Sequence, residues 1–468
     1  MDELAACSWQ RPDDSRCLRQ LQSASRKLTW TYEQAEAYLA SLEPFGWRFG
    51  LDRIRRLASA LGMPQHRFAS IHVVGTNGKS SVASMCAALL EAHGVRAGAY
   101  LSPHDERWSQ RVEIGGAELE PARFAAAVER VAAAVEPVNR ALEEGDSVTE
   151  FEVVTAAAFI ALAAAGVEFG VIEAGLGGRL DATNVIPSKV TALTSVGLDH
   201  TEWLGDTVEA IAAEKLAVLR DRSTLVIGRL SPSVAALARQ VAADRGARLV
   251  VAAEPERSIS LHAPGEYLRR NFAVAEAAVS AAIGGLDRAR VRDAAAALDL
   301  HGRMELVDSE PPLLLDAAHN PDGARALAEA LPEATRGRPV VGCLAVLADK
   351  DAAAILRELA PGLAAAVCTA IPSSHLARSG RPGTRSVEAA ELARLARAAG
   401  VDDVVERSEP ASAAREALAL AGERGALALA TGSHYLLGYA ERAARESGNI
   451  HAAGVGVASP EPAEAEER

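Results

Sequence analysis

Short apolar runs alternate with amphipathic stretches over most of the chain, and this alternation predicts the fold class. Six runs rich in Val, Ile, Leu and Ala have the length of strands, at 70–75, 96–102, 169–175, 189–198, 223–228 and 247–253. Helical periodicity lies between them, at 81–93, 124–135, 153–165 and 208–219. Continuous apolar strands separated by helices are typical of a parallel sheet that is covered on both faces. We therefore expect an α/β first domain.

The alternation pauses after residue 253 and then starts again, which predicts a second, smaller domain. Two helical stretches follow each other at 265–285 and 289–300. Strand-like runs then return at 313–320, 339–347, 365–371, 401–406 and 426–433, each followed by a helical stretch. We place the domains at 29–300 and 301–445, with a disordered extension at 1–28 and a disordered acidic tail at 446–468. A ligand between two such domains is expected beyond the carboxyl ends of the strands.

Length and composition narrow the class of protein. A chain of 468 residues exceeds what one hydrophobic core usually supports, which agrees with two domains. The formal net charge of −13 argues against a nucleic-acid partner, because binding phosphate backbones needs a basic face. Five scattered cysteines without a CxxC pair favour reduced thiols, and we find no apolar signal core or membrane span. We expect a soluble, cytoplasmic protein without a membrane partner.

The strongest chemical signal is the sequence GTNGKSS at 75–81, between the first strand and the first long helix. Glycines let backbone N–H groups approach phosphate oxygens, a lysine supplies positive charge, and the helix N-terminus adds its dipole. The match to the full Walker pattern is partial, because Val73 stands where that pattern has its first glycine. The alternative is an ordinary strand–turn–helix unit with a surface lysine. The order of strand, glycines, Gly-Lys-Ser and helix favours a phosphate-binding loop.

Polar residues also occur at other strands of the first domain, and those at two of these strands suggest a metal site. Glu173 lies inside an apolar strand, where a carboxylate is unfavourable unless it is paired or bound to metal. Asp199 and His200 end another strand, so a Mg²⁺ site beside ATP is plausible. Since hard cations prefer oxygen ligands, His200 is equally well interpreted as a hydrogen-bonding neighbour of the site. By spacing alone, Ser102 is a turn residue and Lys215 belongs to an exposed helical charge pair.

In the second domain, polar residues at two strand ends predict a wall that faces the cleft. Asp316, His319 and Asn320 follow one apolar run, and Ser433 and His434 follow the last one. Ser433 is not part of a GxSxG elbow, so an esterase has little support.

Together these motifs resemble the folylpolyglutamate synthase/dihydrofolate synthase family, within the Mur-type ATP-dependent amide ligases. The matching segments, in family order, are YLASLEPFGWRFGLDRI, HVVGTNGKSSVASM, YLSPH with QRVEIGG, TEFEVVTAAAF, IEAGLGGRLDATNVI, LDHTEWLG, EKLAVLR, NFAVAEAA, HGRMELV, LLDAAHNPDG, LADKD and ATGSHYL. The resemblance implies a P-loop ATPase domain followed by a smaller Rossmann-like α/β domain. It also implies an ATP-dependent ligase that adds L-glutamate to a pteroate or folate carboxylate, with Mg²⁺ as the metal.

The same resemblance assigns roles to individual residues. ATP is held by Gly75, Thr76, Asn77, Gly78, Lys79, Ser80 and Ser81, with further contacts from Asn271, Arg303 and Asp316. The magnesium ligands match Ser102, Glu173 and His200, and a lysine carried as a carbamate near a second metal ion matches Lys215. The pterin side matches Thr149 and Asp181, and Asp181 is expected to accept from two pterin N–H groups as a bidentate pair. We expect catalytic roles for Lys79, Lys215 and His319, and a substrate contact for Ser433.

Three positions depart from the family pattern, and two other functions stay open. Ser80 replaces a loop glycine, Gln110 replaces a usual glutamate, and Leu216 follows Lys215 where EKAGI is usual. A cell-wall Mur-type ligase is disfavoured because only about 70 residues precede Gly75, too few for a UDP-binding domain. A nucleotide-binding module without catalysis is disfavoured because both the loop and the acidic strand ends are present. We expect a monomer that accepts dihydropteroate as well as reduced folates.

Overall fold

The computed structural model describes residues 30–42, 50–104, 106–256, 259–378 and 383–446. The helices are α1 Tyr32–Ser41, α2 Asp52–Ala60, α3 Lys79–Ala92, α4 Pro121–Asn139, α5 Glu150–Ala164, α6 Thr201–Leu204, α7 Val208–Leu216, α8 Pro232–Asp244, α9 Glu266–Ile283, α10 Arg288–Ala297, α11 Pro321–Thr335, α12 Ala352–Leu359, α13 Ser373–Arg378, α14 Ala389–Ala398, α15 Pro410–Glu423 and α16 His434–Glu446. The strands are β1 Ala69–Val74, β2 Ala97–Tyr100, β3 Val112–Ile114, β4 Ala117–Glu118, β5 Phe169–Glu173, β6 Val190–Leu193, β7 Thr224–Ile227, β8 Arg248–Val251, β9 Glu305–Val307, β10 Leu313–Leu315, β11 Val340–Leu344, β12 Ala365–Cys368, β13 Val404–Glu406 and β14 Leu427–Thr431. The segments predicted to be disordered, 1–28 and 446–468, lie outside the described residues except for Glu446, and they stay predictions.

The first sheet runs in the order β4-β3-β2-β5-β1-β6-β7-β8. Neighbours from β2 to β8 pair in parallel, and β3 and β4 add an antiparallel hairpin at one edge. The two faces of β1 belong to different cores, since Ile71 packs with α3 and α9 whereas Val74 packs near α7 and α8. Both faces of the central strands are therefore apolar, as a sheet covered by helices on both sides requires.

The second sheet runs in the order β13-β12-β11-β14-β10-β9, and only its β9–β10 pair is antiparallel among the described strands. Helices α11, α12 and α14 cover one face, and α15 and α16 cover the other. One apolar cluster continues from Ile71 of the first sheet through Met304 to Leu314 of the second. The two sheets are thus joined by packed side chains as well as by the chain itself.

The α/β fold that the sequence predicted is confirmed, and the predicted parallel strands all exist. Three short antiparallel strands, β3, β4 and β9, were not predicted. The second sheet begins at Glu305, and the domain boundary near residue 300 stays a prediction. Within the described part of the chain, no helix has the length and apolarity needed to cross a membrane.

Candidate active site

The phosphate loop follows β1 and is fixed by the loop after β6. Thr76 N donates to Ser195 O at 2.8 Å, and Asn77 N donates to Ser195 Oγ at 2.9 Å. A Cβ on Gly75 would overlap the Thr194 hydroxyl, so the close approach of these two loops requires glycine. Gly78 has a φ of 83° and caps α3, and its Cα faces the Asn271 side chain of α9. The loop therefore has the glycine-dependent geometry that the sequence predicted.

Glu173 ends β5 beside this loop and is buried. Its oxygens accept hydrogen bonds from Ser80 Oγ at 3.0 Å and from Ser102 N at 2.9 Å. Burial raises the pKa of Glu173 to about 7, although Lys79 and these two hydrogen bonds act in the opposite direction. Carboxylate and hydroxyl oxygens suit Mg²⁺, which commonly takes one or two protein ligands and fills its other positions with water and phosphate. Glu173, Ser80 and Ser102 thus fit a metal next to the phosphates.

The predicted metal ligands are not assembled into one group. No cluster of three or more His, Cys, Asp or Glu side chains suited to a metal occurs among the described residues. Ser102 lies with Glu173, whereas His200 lies 3.8 Å from Asp199 and 3.3 Å from the Lys350 Nζ. A metal ion bound by both Glu173 and His200 would therefore require the His200 imidazole to give up its contact with Lys350.

Lys215 is buried rather than exposed, so the interpretation by spacing alone was wrong. Its Nζ donates to Gly75 O at 2.9 Å, directly under the phosphate loop. Burial foremost, and then the charge of Lys79, lowers the pKa of Lys215 to about 7, while Asp199 and Asp181 oppose the shift. Glu214 points elsewhere and pairs with Arg179 at 2.8 Å. A lysine with this pKa is partly neutral at physiological pH.

The Asp199 carboxylate accepts hydrogen bonds from two side chains of the second domain. Its Oδ1 lies 2.6 Å from Lys350 Nζ, and its Oδ2 accepts from Asn320 Nδ2 at 3.1 Å. Burial alone would raise the pKa of Asp199, but His200, Lys350 and His319 together hold it well below its usual value. Desolvation and the Lys350 charge lower the pKa of His319 to about 4, so this imidazole is neutral at pH 7.

Asn320 also contacts the phosphate loop. Its side-chain amide forms a reciprocal pair with that of Asn77, with N···O distances of 2.9 and 3.1 Å. Sequence reasoning placed Asn77 in the phosphate loop and Asn320 on the cleft wall, but it did not predict their pairing, and it gave Lys350 no role. The signal for Lys350 was the segment LADKD.

Other predicted ATP and substrate residues come from the second domain or from its connection. Asp316 is buried and accepts from Tyr267 Oη at 2.7 Å, Ala318 N at 2.9 Å and Met304 N at 3.0 Å. Asp316 therefore joins α9 of the first domain to the chain that leads into β9. Ser433 is 1% exposed, and its Oγ has no hydrogen-bond partner among the described residues. A buried hydroxyl on the cleft wall suits a polar ligand.

Thr149 and Asp181 form hydrogen bonds within their own segments, and their pterin-side role stays a prediction. Thr149 is the N-cap of α5, and its hydroxyl donates to Glu152 Oε2 at 3.0 Å. Asp181 is buried, with Oδ1 accepting from Thr183 N at 2.9 Å and Oδ2 from Leu176 N at 2.8 Å. Since Thr183 Oγ1 donates to Asp181 as well, about one of the roughly four acceptor positions of this carboxylate stays open. These contacts use most of the acceptor capacity of Asp181, and its bidentate pterin contact stays a prediction.

One cleft of about 2050 Å³ contains the remaining predicted residues. It is lined by Gly75, Thr76, Asn77, Gly78, Lys79, Ser80, Ser81, Ser102, Glu173, His200, Lys215, Asn271, Arg303, Asp316, His319 and Ser433. The lining does not include Thr149 or Asp181. The cleft lies between the carboxyl ends of the two sheets, where ligands bind in open α/β proteins.

Comparison with protein-family models matches both halves of the chain. Residues 73–263 match the Mur ligase middle domain, and residues 302–434 match the Mur ligase, glutamate ligase domain. The dihydrofolate synthase/folylpolyglutamate synthase of Mycobacterium tuberculosis is 37% identical over 358 residues, which are 68% of this chain and 74% of that protein. The folylpolyglutamate synthase of Lacticaseibacillus casei is 33% identical, over 73% of this chain and 86% of its own length.

Solved structures give the same picture. The M. tuberculosis folylpolyglutamate synthase complexed with ADP has a TM-score of 0.79 and 33% identity, covering 88% of this chain and 97% of that one. A bifunctional folylpolyglutamate synthase/dihydrofolate synthase with Mn, AMPPNP and L-glutamate bound has a TM-score of 0.75 and 29% identity, covering 89% and 98%.

Proposed function

The chain belongs to the Mur ligase family, among the folylpolyglutamate synthase/dihydrofolate synthases, and we propose that it joins L-glutamate to dihydropteroate and to reduced folates with ATP. The observation that carries this proposal is the single cleft in which the phosphate loop faces the polar wall of the glutamate ligase domain. A ligase needs this arrangement because the acceptor carboxylate must meet ATP on one side and the glutamate amine on the other. A relative of the same fold holds Mn, AMPPNP and L-glutamate.

The reaction needs activation, because a carboxylate is a poor electrophile. The acceptor carboxylate attacks the γ-phosphorus of ATP, ADP leaves, and an acyl phosphate results. The glutamate amine then attacks the acyl carbon, and phosphate leaves as the amide forms. Lys79 and Arg303 line the cleft and offset the repulsion between carboxylate and triphosphate. A divalent metal held by Glu173, Ser80 and Ser102 would supply further neutralisation of the phosphate oxygens.

His319 lines the cleft and is a candidate to contact the glutamate amine. Because the pKa of His319 is about 4, its ring is neutral, and its Nδ1 donates to Ala317 O at 2.9 Å. Its Nε2 then carries the lone pair and lies 3.9 Å from Asp199 Oδ2. Such a weak base orients the amine more than it activates it, so we assign His319 an orienting role.

The range of acceptors is part of the proposal. The M. tuberculosis relative is named for both reactions, whereas the L. casei relative is named for folate extension alone. We favour both reactions, since the identity to the former is higher and FGLDRI, TEFE and GLGGRLDATN suggest a bifunctional member. The monomeric state and the cytoplasmic location stay predictions.

The deciding experiment is ADP release by the purified full chain. We expect turnover with ATP, Mg²⁺ and L-glutamate plus either dihydropteroate or tetrahydrofolate, and no turnover when one component is omitted. Glu173→Gln is the control variant, since it keeps the shape of the side chain but loses most of the rate. Turnover with tetrahydrofolate alone would limit the protein to chain extension. Turnover only with a UDP-linked cell-wall precursor, or none at all, would refute the proposal.

A further inference from the structure

The Lys350 side chain reaches across the cleft from the second domain to the first. It lies after β11 on a loop that is tied down by the hydrogen bond from Ala348 N to Arg385 O, at 2.8 Å. Its Nζ lies 2.6 Å from Asp199 Oδ1 and 3.3 Å from His200 Nε2. The side chain is 6% exposed and that of Asp199 is 11% exposed. The ammonium is therefore buried between Asp199 and His200 of the first domain, with Asp349 of its own loop 3.9 Å away.

This contact determines which ring nitrogen of His200 acts as a hydrogen-bond acceptor. A lysine ammonium has only donors, so His200 Nε2 must accept, and the ring proton then resides on Nδ1. A metal bound through Nε2 would need the same lone pair. One lone pair serves one cation at a time. Asp199, one residue before, supplies the negative charge that either cation would need.

We propose that Lys350 is a positioning residue that acts as a tethered cation, occupying His200 and Asp199 until a divalent metal displaces it. This inference rests on the proposed function and on a metal site in which His200 joins Glu173. Displacement of the ammonium would free His200 and at the same time release the Lys350 side chain from the first domain.

A second set of contacts explains why displacement does not separate the domains. Asp199 Oδ2 stays bound to Asn320 Nδ2, and Asn320 stays paired with Asn77. These bonds hold the second domain on the phosphate loop, so Lys350 can exchange with a metal locally. An interdomain salt bridge with a merely structural role would make a different prediction, namely no change in metal affinity when its lysine is removed.

The test is Mn²⁺ binding to the nucleotide-free full chain, followed by electron paramagnetic resonance of the free ion. Lys350→Met should bind Mn²⁺ about tenfold more tightly than the wild type, because a competing charge has left a partly buried site. The gain should vanish in the double variant Lys350→Met/His200→Ala. The matched control is Lys189→Met, since Lys189 is exposed, lies over Phe169 and does not line the cleft. Unchanged affinity in Lys350→Met, or a gain that persists without His200, would overturn the proposal.

A measurement on the wild type covers the case in which Lys350→Met does not fold. Acetylation by an N-hydroxysuccinimide ester, read by mass spectrometry, should label Lys350 slowly without metal and several-fold faster with Mn²⁺. Labelling of Lys189 should not change. Equal labelling of Lys350 in both conditions would contradict displacement. Neither measurement needs turnover. The displacement of Lys350 can therefore be tested even if the ADP assay shows no ligase activity.

Discussion

Lys215 lies under the phosphate loop, where its Nζ donates to Gly75 O at 2.9 Å. Burial and the nearby Lys79 charge lower its pKa from the ordinary range of a lysine to about 7. A carbamate forms only on a neutral amine, so this lysine is prepared for CO₂ in a way that an exposed lysine is not. The carbamate that the family resemblance implies is therefore chemically accessible, and it stays a prediction.

We expect Lys215 to take up CO₂, and the uptake to rise as the pH is raised from 6 to 8 at constant dissolved CO₂. The reason is that the amine loses its proton over this interval, which brackets its pKa of about 7. The ¹³C NMR spectrum of the protein under ¹³CO₂ should show a carbamate signal that is absent from Lys215→Met. Lys189→Met, in which an exposed lysine is removed, should keep the signal.

A small carboxylate such as acetate should partly restore activity to Lys215→Ala, if the anion is what the site needs. Wild-type protein without a carbamate signal at pH 8 would contradict the prediction. So would a signal of equal strength at pH 6, because it would show that the lowered pKa is not the controlling property.

Individual side-chain roles were only partly predictable from the sequence. Glu173 could be singled out because a carboxylate inside an apolar strand is costly without a partner. Lys215 could not, since its position in a helix gives no sign that the helix faces the phosphate loop. The local partners of Asp181, Leu176 and Thr183, could not be predicted either, and its pterin-side role stays a prediction. Strand-end positions can be read from sequence, whereas the direction of a side chain depends on tertiary contacts.

At the scale of elements, the start of α5 combines a cap with a buried ion pair. Thr149 and Glu152 form a capping box, in which each side chain bonds the other's backbone N–H. Glu152 also accepts from Arg53 Nε of α2 at 3.1 Å, and both side chains are almost fully buried. Arg53 in turn contacts Asp146, in the turn before α5, at 3.1 Å. The pair thus anchors α2 to the N-terminus of α5.

Arg53→Met is expected to lower the free energy of unfolding by about 3–5 kcal/mol, because it leaves Glu152 buried without its cationic partner. Burial already raises the pKa of Glu152, so the uncompensated carboxyl would become still more prone to protonation. Urea unfolding followed by circular dichroism measures the change. Arg56→Met is the matched control on the same helix, since Arg56 and Asp52 are 47% and 68% exposed. It should cost less than about 1 kcal/mol.

If Arg53→Met and Arg56→Met unfolded at the same urea concentration, the buried Arg53–Glu152 pair would stabilise the protein no more than an exposed ion pair does. A partial recovery in the double variant Arg53→Met/Glu152→Gln is expected, because no charge is then left buried. A double variant less stable than Arg53→Met would mean that Glu152 acts mainly as a cap.

Elements with a buried apolar run were predictable, and short partly exposed ones were not. Strands such as β1 and β5 are buried along almost their whole length, so their sequences are mostly apolar, with Ser70 and His72 in β1 and Glu173 in β5 as the exceptions. Strands β4 and β9 have two and three residues and lie at sheet edges, too short for a periodic signal. The capping box of α5 was readable in TEFE, a threonine followed three residues later by glutamate. The pterin-side role that the family resemblance implies for Thr149 stays a prediction beside this capping role.

At the scale of the whole molecule, the two domains meet at a few polar contacts around the phosphate loop. The Asn77–Asn320 amide pair is central among them, since Asn77 belongs to the loop itself. Asn320 has two further tasks: its Oδ1 caps α11 by accepting from Gly323 N at 2.9 Å, and its Nδ2 donates to Asp199. The amide pair therefore connects the ATP loop directly to the glutamate ligase domain.

We expect Asn77→Ala and Asn320→Ala to lower kcat in a non-additive way. Each single variant breaks both hydrogen bonds of the pair, so the double variant should lose less than the sum of the two single losses. Coupling between residues in contact is typically about 0.5–3 kcal/mol, which corresponds to a factor of roughly two or more in rate. The measurement is a double-mutant cycle on kcat and on the KM for ATP and for glutamate, with unfolding curves recorded for each variant.

Asn320→Asp separates the interdomain role from the helix cap. Aspartate caps a helix N-terminus about as well as asparagine, so the stability of α11 should be kept. It has no donor for Asn77 or Asp199, and its charge would repel the Asp199 carboxylate. The expected result is a protein that keeps the α11 cap but unfolds at a lower urea concentration than the wild type, because two largely buried carboxylates then face each other, with a kcat lowered at least as much as in Asn320→Ala. Wild-type kcat in Asn320→Asp, or strictly additive losses in the cycle, would mean that the two domains are positioned by other contacts, of which the apolar cluster through Met304 is the most extensive among the described residues.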